Sequence, residues 1–188
     1  MKKIFYILIV VVFKFNIAYS LIEVDITRGN LDPLPIAVSP LHVDPQSNNY
    51  QDVKTKELGE LISLVVEKNF RSTGLFNPLN KDAFVQKPDI AHLKPRFEDW
   101  SLITAQALVT GKLLVKDEKL KIEFRLWDVA ANKEMVALAF TTTPSNWRRV
   151  AHIISDKIYE RLTGETGYFD TRIIYVSETG PRTQRVKK

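Results

Sequence analysis

Between Trp147 and Leu162 apolar residues recur every three or four positions: Trp147, Val150, Ala151, Ile154, Ile158 and Leu162 share one side. Arg148, Arg149, Asp156, Lys157, Glu160 and Arg161 fall largely on the other, which is the pattern of an amphipathic helix. Thr143 followed by Pro144 gives a start signal, and Gly164 can take the left-handed conformation that ends such a helix. The same period follows Asp52, a candidate cap. Leu58, Leu61, Ile62, Val65 and Val66 form a stripe, Lys54, Lys56, Glu57, Glu60, Glu67 and Lys68 face outward, and Gly74 closes the helix.

Elsewhere the period is two. Ile22, Val24 and Ile26 alternate with Glu23, Asp25 and Thr27 before Arg28, Gly29 and Asn30 break the run, predicting a short strand with one apolar face. Leu34 to Ser39 is a compact apolar run bounded by prolines, read as a buried strand, and Leu41 to Gln51 reads as a polar loop. Ala105 to Val115 and Leu120 to Val129 form a predicted hairpin across Lys116 to Lys119. Leu120, Ile122, Phe124 and Leu126 face the core there, while Lys121, Glu123, Arg125 and Trp127 face out. Met135 to Thr143 is a third antiparallel strand, and Thr171 to Ser177 a further short one. Asn80 to Pro95 carries little pattern beyond a turn near Asp82, and Trp100 is expected to anchor on the core. Two amphipathic helices over a mixed β-sheet make an α+β, two-layer domain, similar in layout to anticodon-binding modules.

Met1 to Ser20 is set apart. Lys2 and Lys3 precede the apolar run Ile4 to Phe13, and Ala18-Tyr19-Ser20 has the small-x-small form of a cleavage site, so a secretory signal peptide cut between Ser20 and Leu21 is expected. Lys14 and Asn16 interrupt the run too early for a spanning helix. The mature chain is therefore expected to be soluble and outside the cytoplasm. This division changes how the charge is read. Of the formal net charge of +5, three units lie in residues 1–20 and four in residues 181–188, which leaves the body at −2. No basic face for nucleic acid follows from such totals. The chain has no cysteine, which excludes disulfides, zinc-thiolate sites and a cysteine nucleophile.

Candidate chemistry is sparse. His42 and Asp44 sit together in the predicted loop, His92 lies in the irregular stretch, and His152 and Asp156 are one helical turn apart. Their spacing matches no zinc signature, and a His/Asp ion pair or hydrogen-bonded cap accounts for them. No G-x-S-x-G elbow or phosphate-cradling glycine loop is present. Adjacent acids such as Glu98-Asp99 and Asp117-Glu118 point apart. An enzyme is not expected, nor a cofactor, metal or small-molecule substrate. Trp127 and the Arg148/Arg149 pair are candidate contact residues, with burial of Trp127 under a neighbouring element the alternative.

A resemblance runs through the chain in order. PLPIAVSP (Pro33 to Pro40), NFRSTGLFNPL (Asn69 to Leu79), DWSLITAQALVTGKLLV (Asp99 to Val115), RLWDV (Arg125 to Val129) and RRVAHIISDKIYERLTGETGYFDTRIIYVSE (ending at Glu178) together resemble the TolB family of the Tol-Pal envelope system. The last stretch resembles the junction where that family's N-terminal α/β domain passes into a β-propeller. The resemblance implies a periplasmic protein, with residues 1–20 as signal peptide, 21–166 as the N-terminal domain with 21–32 an extended segment, and 167–188 as the truncated start of a first blade. A blade takes about 40 residues, so the propeller is expected to be missing here.

In that family the mature N-terminal segment engages TolA, an inner-membrane partner, and the propeller binds the lipoprotein Pal. The resemblance thus implies that Ile22, Glu23, Val24, Asp25, Ile26 and Thr27 pair with a TolA-like protein, that Pal binding is lost, and that the role is in outer-membrane integrity and constriction at division. Taken without the resemblance, Ile22 to Thr27 reads first as an edge strand of the chain's own sheet and second as a strand offered to a partner, and the resemblance reverses that order. An RNA-binding anticodon-like module and a non-functional truncated remnant are the alternative readings.

Overall fold

A computed structural model describes residue 22 and residues 32–48, 52–172, 178–179 and 186–187. Its strands and helices, in order, are β1 (Leu34–Val38), β2 (His42–Val43), α1 (Val53–Thr73), β3 (Phe76–Pro78), α2 (Pro88–Ala91), α3 (Phe97–Leu102), β4 (Ala107–Lys116), β5 (Lys119–Asp128), β6 (Lys133–Thr142), α4 (Trp147–Thr163), β7 (Glu178–Thr179) and β8 (Val186–Lys187).

The first six strands form one mixed sheet in the order β3-β1-β4-β5-β6, with β2 also pairing with β4. β1 is parallel to both β3 and β4, whereas β4, β5 and β6 are an antiparallel meander. The class is the α+β arrangement that the periodicities predict. Asp117 and Glu118, both at positive φ, make the two-residue turn between β4 and β5, a conformation that matches the right-handed twist of the hairpin. Asn132 takes a left-handed conformation in the next turn.

The apolar stripes meet as the pattern requires except at Leu61 of α1, which is 38% exposed. Leu34, Ile36 and Val38 of β1, Val109 and Leu113 of β4, and Leu120, Ile122, Phe124 and Leu126 of β5 pack against Ile62, Val66 and Phe70 of α1 and Val150, Ile154, Ile158 and Leu162 of α4. Each such side chain, fully buried, contributes roughly 1.5–3 kcal/mol before entropy is counted. Both helices end on left-handed glycines, Gly74 and Gly164. Gly59 is fixed by packing: a Cβ there would sit 2.0 Å from the Leu41 carbonyl oxygen, so α1 lies on the backbone itself.

Several expectations are corrected. Leu41 to Gln51 is not only loop, because His42 and Val43 form a parallel two-residue pairing with Lys112 and Leu113. Asp52 occupies the N-cap position, but its side chain makes no capping bond. Pro144 opens a short 3-10 turn, Pro144–Asn146, and α4 begins only at Trp147. The solvent-facing side of the sheet is not bare. α2 and α3 cross it at one end, over a small second core of Ala37, Ala91, Trp100, Ala105, Leu108 and Val129. Trp100 is anchored there, its indole N–H donating to Gln86 Oε1 at 3.1 Å.

Candidate functional site

The N-terminal segment is the one sequence-predicted site, and of it only Ile22 is described; Leu21 and Glu23 to Thr27 lie outside the described residues, as does Ser20. Ile22 is half-buried against the main core and is not part of a strand. Its main-chain N–H donates to Asp128 Oδ2 at 3.2 Å. Asp128 closes β5 opposite Lys133 and is 1% exposed. Its Oδ1 accepts from the Ala131 N–H at 2.9 Å and shapes the turn into β6. One carboxylate thus fixes a local turn and holds the start of a remote segment.

The histidines are placed otherwise than an ion-pair reading expects. His42 stacks on His92 with ring centroids 4.5 Å apart and planes 7° from parallel, tying β2 to α2. His92 is buried and directs Nδ1 to the Pro88 carbonyl at 2.9 Å, which makes that nitrogen the donor. Burial, with the neighbouring His92, holds the His42 pKa below the usual imidazole value. Asp44 instead accepts from the Gln46 N–H at 2.9 Å.

His152 and Asp156 do not pair either. His152 Nδ1 lies 3.0 Å from Asn69 Nδ2 of α1, so it accepts. Asp156 accepts the Phe169 and Asp170 N–H groups at 2.6 and 3.0 Å. Gly167 approaches Asp156 so closely that a Cβ would lie 2.4 Å from its Cα. This seats Tyr168 and Phe169 against Tyr159, and Phe169 edge-on to Phe70.

Trp127 is not a free contact residue. Phe97 of α3 meets it edge-on at 5.7 Å, and its N–H donates to Thr110 Oγ1 at 2.9 Å. Trp127 is half-buried, packed against the small second core beside α3. Arg149 is engaged with Asp170 at 3.2 Å, and the Arg148 guanidinium sits 4.9 Å over the Trp147 ring.

A shallow groove of about 210 Å³ on the outer face is lined by His92, Lys112, Glu123, Arg125 and Leu138. Its charges are matched internally: Glu123 binds Lys121 at 2.7 Å, which holds its carboxyl below the usual range, and Arg125 binds Glu134 at 3.1 Å. Among the described residues no three His, Cys, Asp or Glu side chains converge to hold a metal, and no helix is long and apolar enough to cross a membrane. Sequence reasoning missed the partnership of Ile22 with Asp128 and of His42 with His92, because neither leaves a signal at short range.

Comparison with known proteins supplies the context. A family model described as the TolB amino-terminal domain matches residues 22–135. A curated relative from Pelagibacter ubique (strain HTCC1062), the Tol-Pal system protein TolB, is 70% identical over 173 residues, which is 91% of this chain and 39% of that protein. The chain therefore spans well under half the length of this relative. The crystal structure of TolB from Acinetobacter baumannii superposes with a TM-score of 0.62 at 23% identity, over 77% of this chain and 32% of that one, a likeness of fold.

Proposed function

The chain belongs to the TolB amino-terminal domain family, and from that premise we propose that it acts as a non-enzymatic periplasmic interaction component of a Tol-Pal system. In this reading residues 1–20 direct export and are removed after Ser20. The mature segment Ile22, Glu23, Val24, Asp25, Ile26 and Thr27 then adds as a strand to a TolA-like inner-membrane partner. The outcome is support of outer-membrane integrity and constriction during division.

One observation carries the reading. Ile22 stands outside the six-stranded sheet, and among the described residues it is held by an amide-to-carboxylate bond and a half-buried side chain. Losing a hydrogen bond to a charged group costs roughly 1.5–3 kcal/mol, and uncovering part of one isoleucine no more than about 3 kcal/mol. A strand added to a partner's sheet gains several main-chain bonds and a buried row of alternate side chains, here Ile22, Val24 and Ile26. That gain offsets the cost of releasing Ile22.

The test is direct. Purified chain beginning at Leu21, and a form lacking residues 21–32, are titrated against the C-terminal periplasmic domain of TolA. Saturable binding by the first and its loss in the second is the expected result, with Val24→Pro behaving like the truncation because proline blocks a strand bond. Undiminished binding by the truncated form would overturn the proposal.

A further inference from the structure

The two edges of the main sheet are treated differently. β3 is three residues long and ends at Pro78, which blunts it. β6 is ten residues long, has no proline, carries charge only at Lys133 and Glu134, and is regular from Val136 to Thr142, its one shift of register against β5 falling at Met135. It pairs with β5 on one side, and among the described residues no strand lies on the other. Val136, Leu138 and Phe140 stand opposite Leu126, Phe124 and Ile122 on the helix-covered face, while Ala137, Ala139 and Thr141 point to the outer face. Leu138 is nevertheless 40% exposed. Between β6 and the C-terminal half of α4 runs an open groove of about 420 Å³, lined by Val136, Leu138, Lys157, Glu160 and Arg161.

We propose that this edge is a homodimer seam: β6 of a second copy adds antiparallel across a two-fold axis through Leu138, joining two sheets into one. Self-complementarity of the strand selects a second copy as occupant. With Leu138 facing itself, Val136 meets Phe140 and Ala137 meets Ala139, so the seam uses the regular stretch of β6 that follows the irregularity at Met135. No like charges face each other, and the apolar row continues across the seam. Parallel pairing in register would set Lys133 on Lys133 and Glu134 on Glu134, which is unfavourable. The groove itself holds both signs: Lys157 and Glu160 pair within each copy at 2.9 Å, and Arg161 of the other copy adds a second cation for Glu160 to meet. A two-fold seam requires such a surface, because the same patch serves both sides. The proposal stands apart from the N-terminal segment, which engages the opposite end of β5 at Asp128 from the turn at Asp117 and Glu118.

The experiment is sedimentation of the purified full chain over a concentration series, with the expected result a doubling of mass as concentration rises. Leu138→Lys and Leu138→Glu should each sediment as folded monomers, and mixing the two should restore the dimer, because position 138 faces its own copy. Since the chain has no cysteine, Leu138→Cys supplies a second reading that does not depend on a charged edge: it should form an intermolecular disulfide under mild oxidation, while Leu102→Cys, 81% exposed on another surface, should not. A monomer at every concentration, equal cross-linking at both positions, or failure of the Lys and Glu variants to associate on mixing would overturn the proposal.

Discussion

Asp128 Oδ2 receives the main-chain N–H of Ile22 at 3.2 Å across a sequence separation of 106 residues. Because Oδ1 of the same side chain holds the Ala131 N–H, the two duties can be separated by chemistry. Asp128→Asn, with its amide oxygen kept on Ala131, turns an NH2 group toward the Ile22 donor. The expected outcome is faster hydrogen exchange in the N-terminal peptide with little loss of global stability. Asp128→Ala removes both acceptors and should cost about 1–3 kcal/mol in a denaturant titration. Unchanged exchange in Asp128→Asn would show that Ile22 is held by packing alone.

The His42–His92 stack gives the fold a pH dependence. His42 is depressed by burial first and by His92 second, with Lys112 adding to this and Asp89 and Asp44 opposing it. A folded-state pKa below the ordinary 6.5 means that, between the two values, the unfolded chain holds more protons than the folded one. The contribution is therefore present above 6.5 and is lost as pH falls through the folded value. Denaturant midpoints should drop across that interval, and His42→Gln should flatten the slope. A wild-type slope retained in His42→Gln would assign the titration elsewhere.

What the sequence made legible follows from range. The two long helices, their glycine ends and the β4-β5-β6 meander are written in local periods of three to four or two, and side chains such as Ile154 and Phe124 sit where those periods put them. α2 and α3, with four and six residues, are too short to show a period, so the layer that sets Phe97 against Trp127 was invisible. β2 and β3 are parallel pairings of two and three residues whose partners lie far along the chain. The candidate segment is proposed from the alternation at Ile22 to Thr27, of which only Ile22 is described, and it stands outside any strand. Its anchor was not legible, since Asp128 reads in sequence only as the polar end of the second hairpin strand, 106 residues from Ile22.

Lys81 pins the turn at Lys81–Ala83 onto α1 through Glu60, through Ser63 Oγ at 3.0 Å, and through Glu67 at 2.9 Å. Burial raises the Glu67 pKa above the ordinary 4.5, and the Lys81 ammonium opposes that shift. The folded state therefore holds the Glu67 proton more tightly than the unfolded state does. Its contribution is greatest at low pH and is lost as pH rises from 4.5 through the folded value. Lys81→Met removes the opposing charge. It should cost about 1–3 kcal/mol at neutral pH, less than a fully buried pair because both partners keep some solvent, and part of the loss should return on acidification. A deficit that stays constant with pH would mean that Lys81 contributes packing only.

Asn69 joins the two long helices through both of its amide protons, one to Ser155 Oγ at 2.8 Å and one to His152 Nδ1 at 3.0 Å. Ser155, fully buried, passes its own proton to the Ala151 carbonyl at 3.0 Å. Asn69→Leu keeps the volume but leaves the His152 nitrogen and a Ser155 lone pair facing an apolar group, an expected loss of about 1–3 kcal/mol. Ser155→Ala alone orphans one Asn69 proton and should cost roughly half as much. The double variant removes donor and acceptor together, so its loss should fall short of the sum of the single losses by at least about 0.5 kcal/mol. Equilibrium unfolding of the four proteins measures this coupling, and strict additivity would place the α1–α4 contact in the apolar stripes and not in this network.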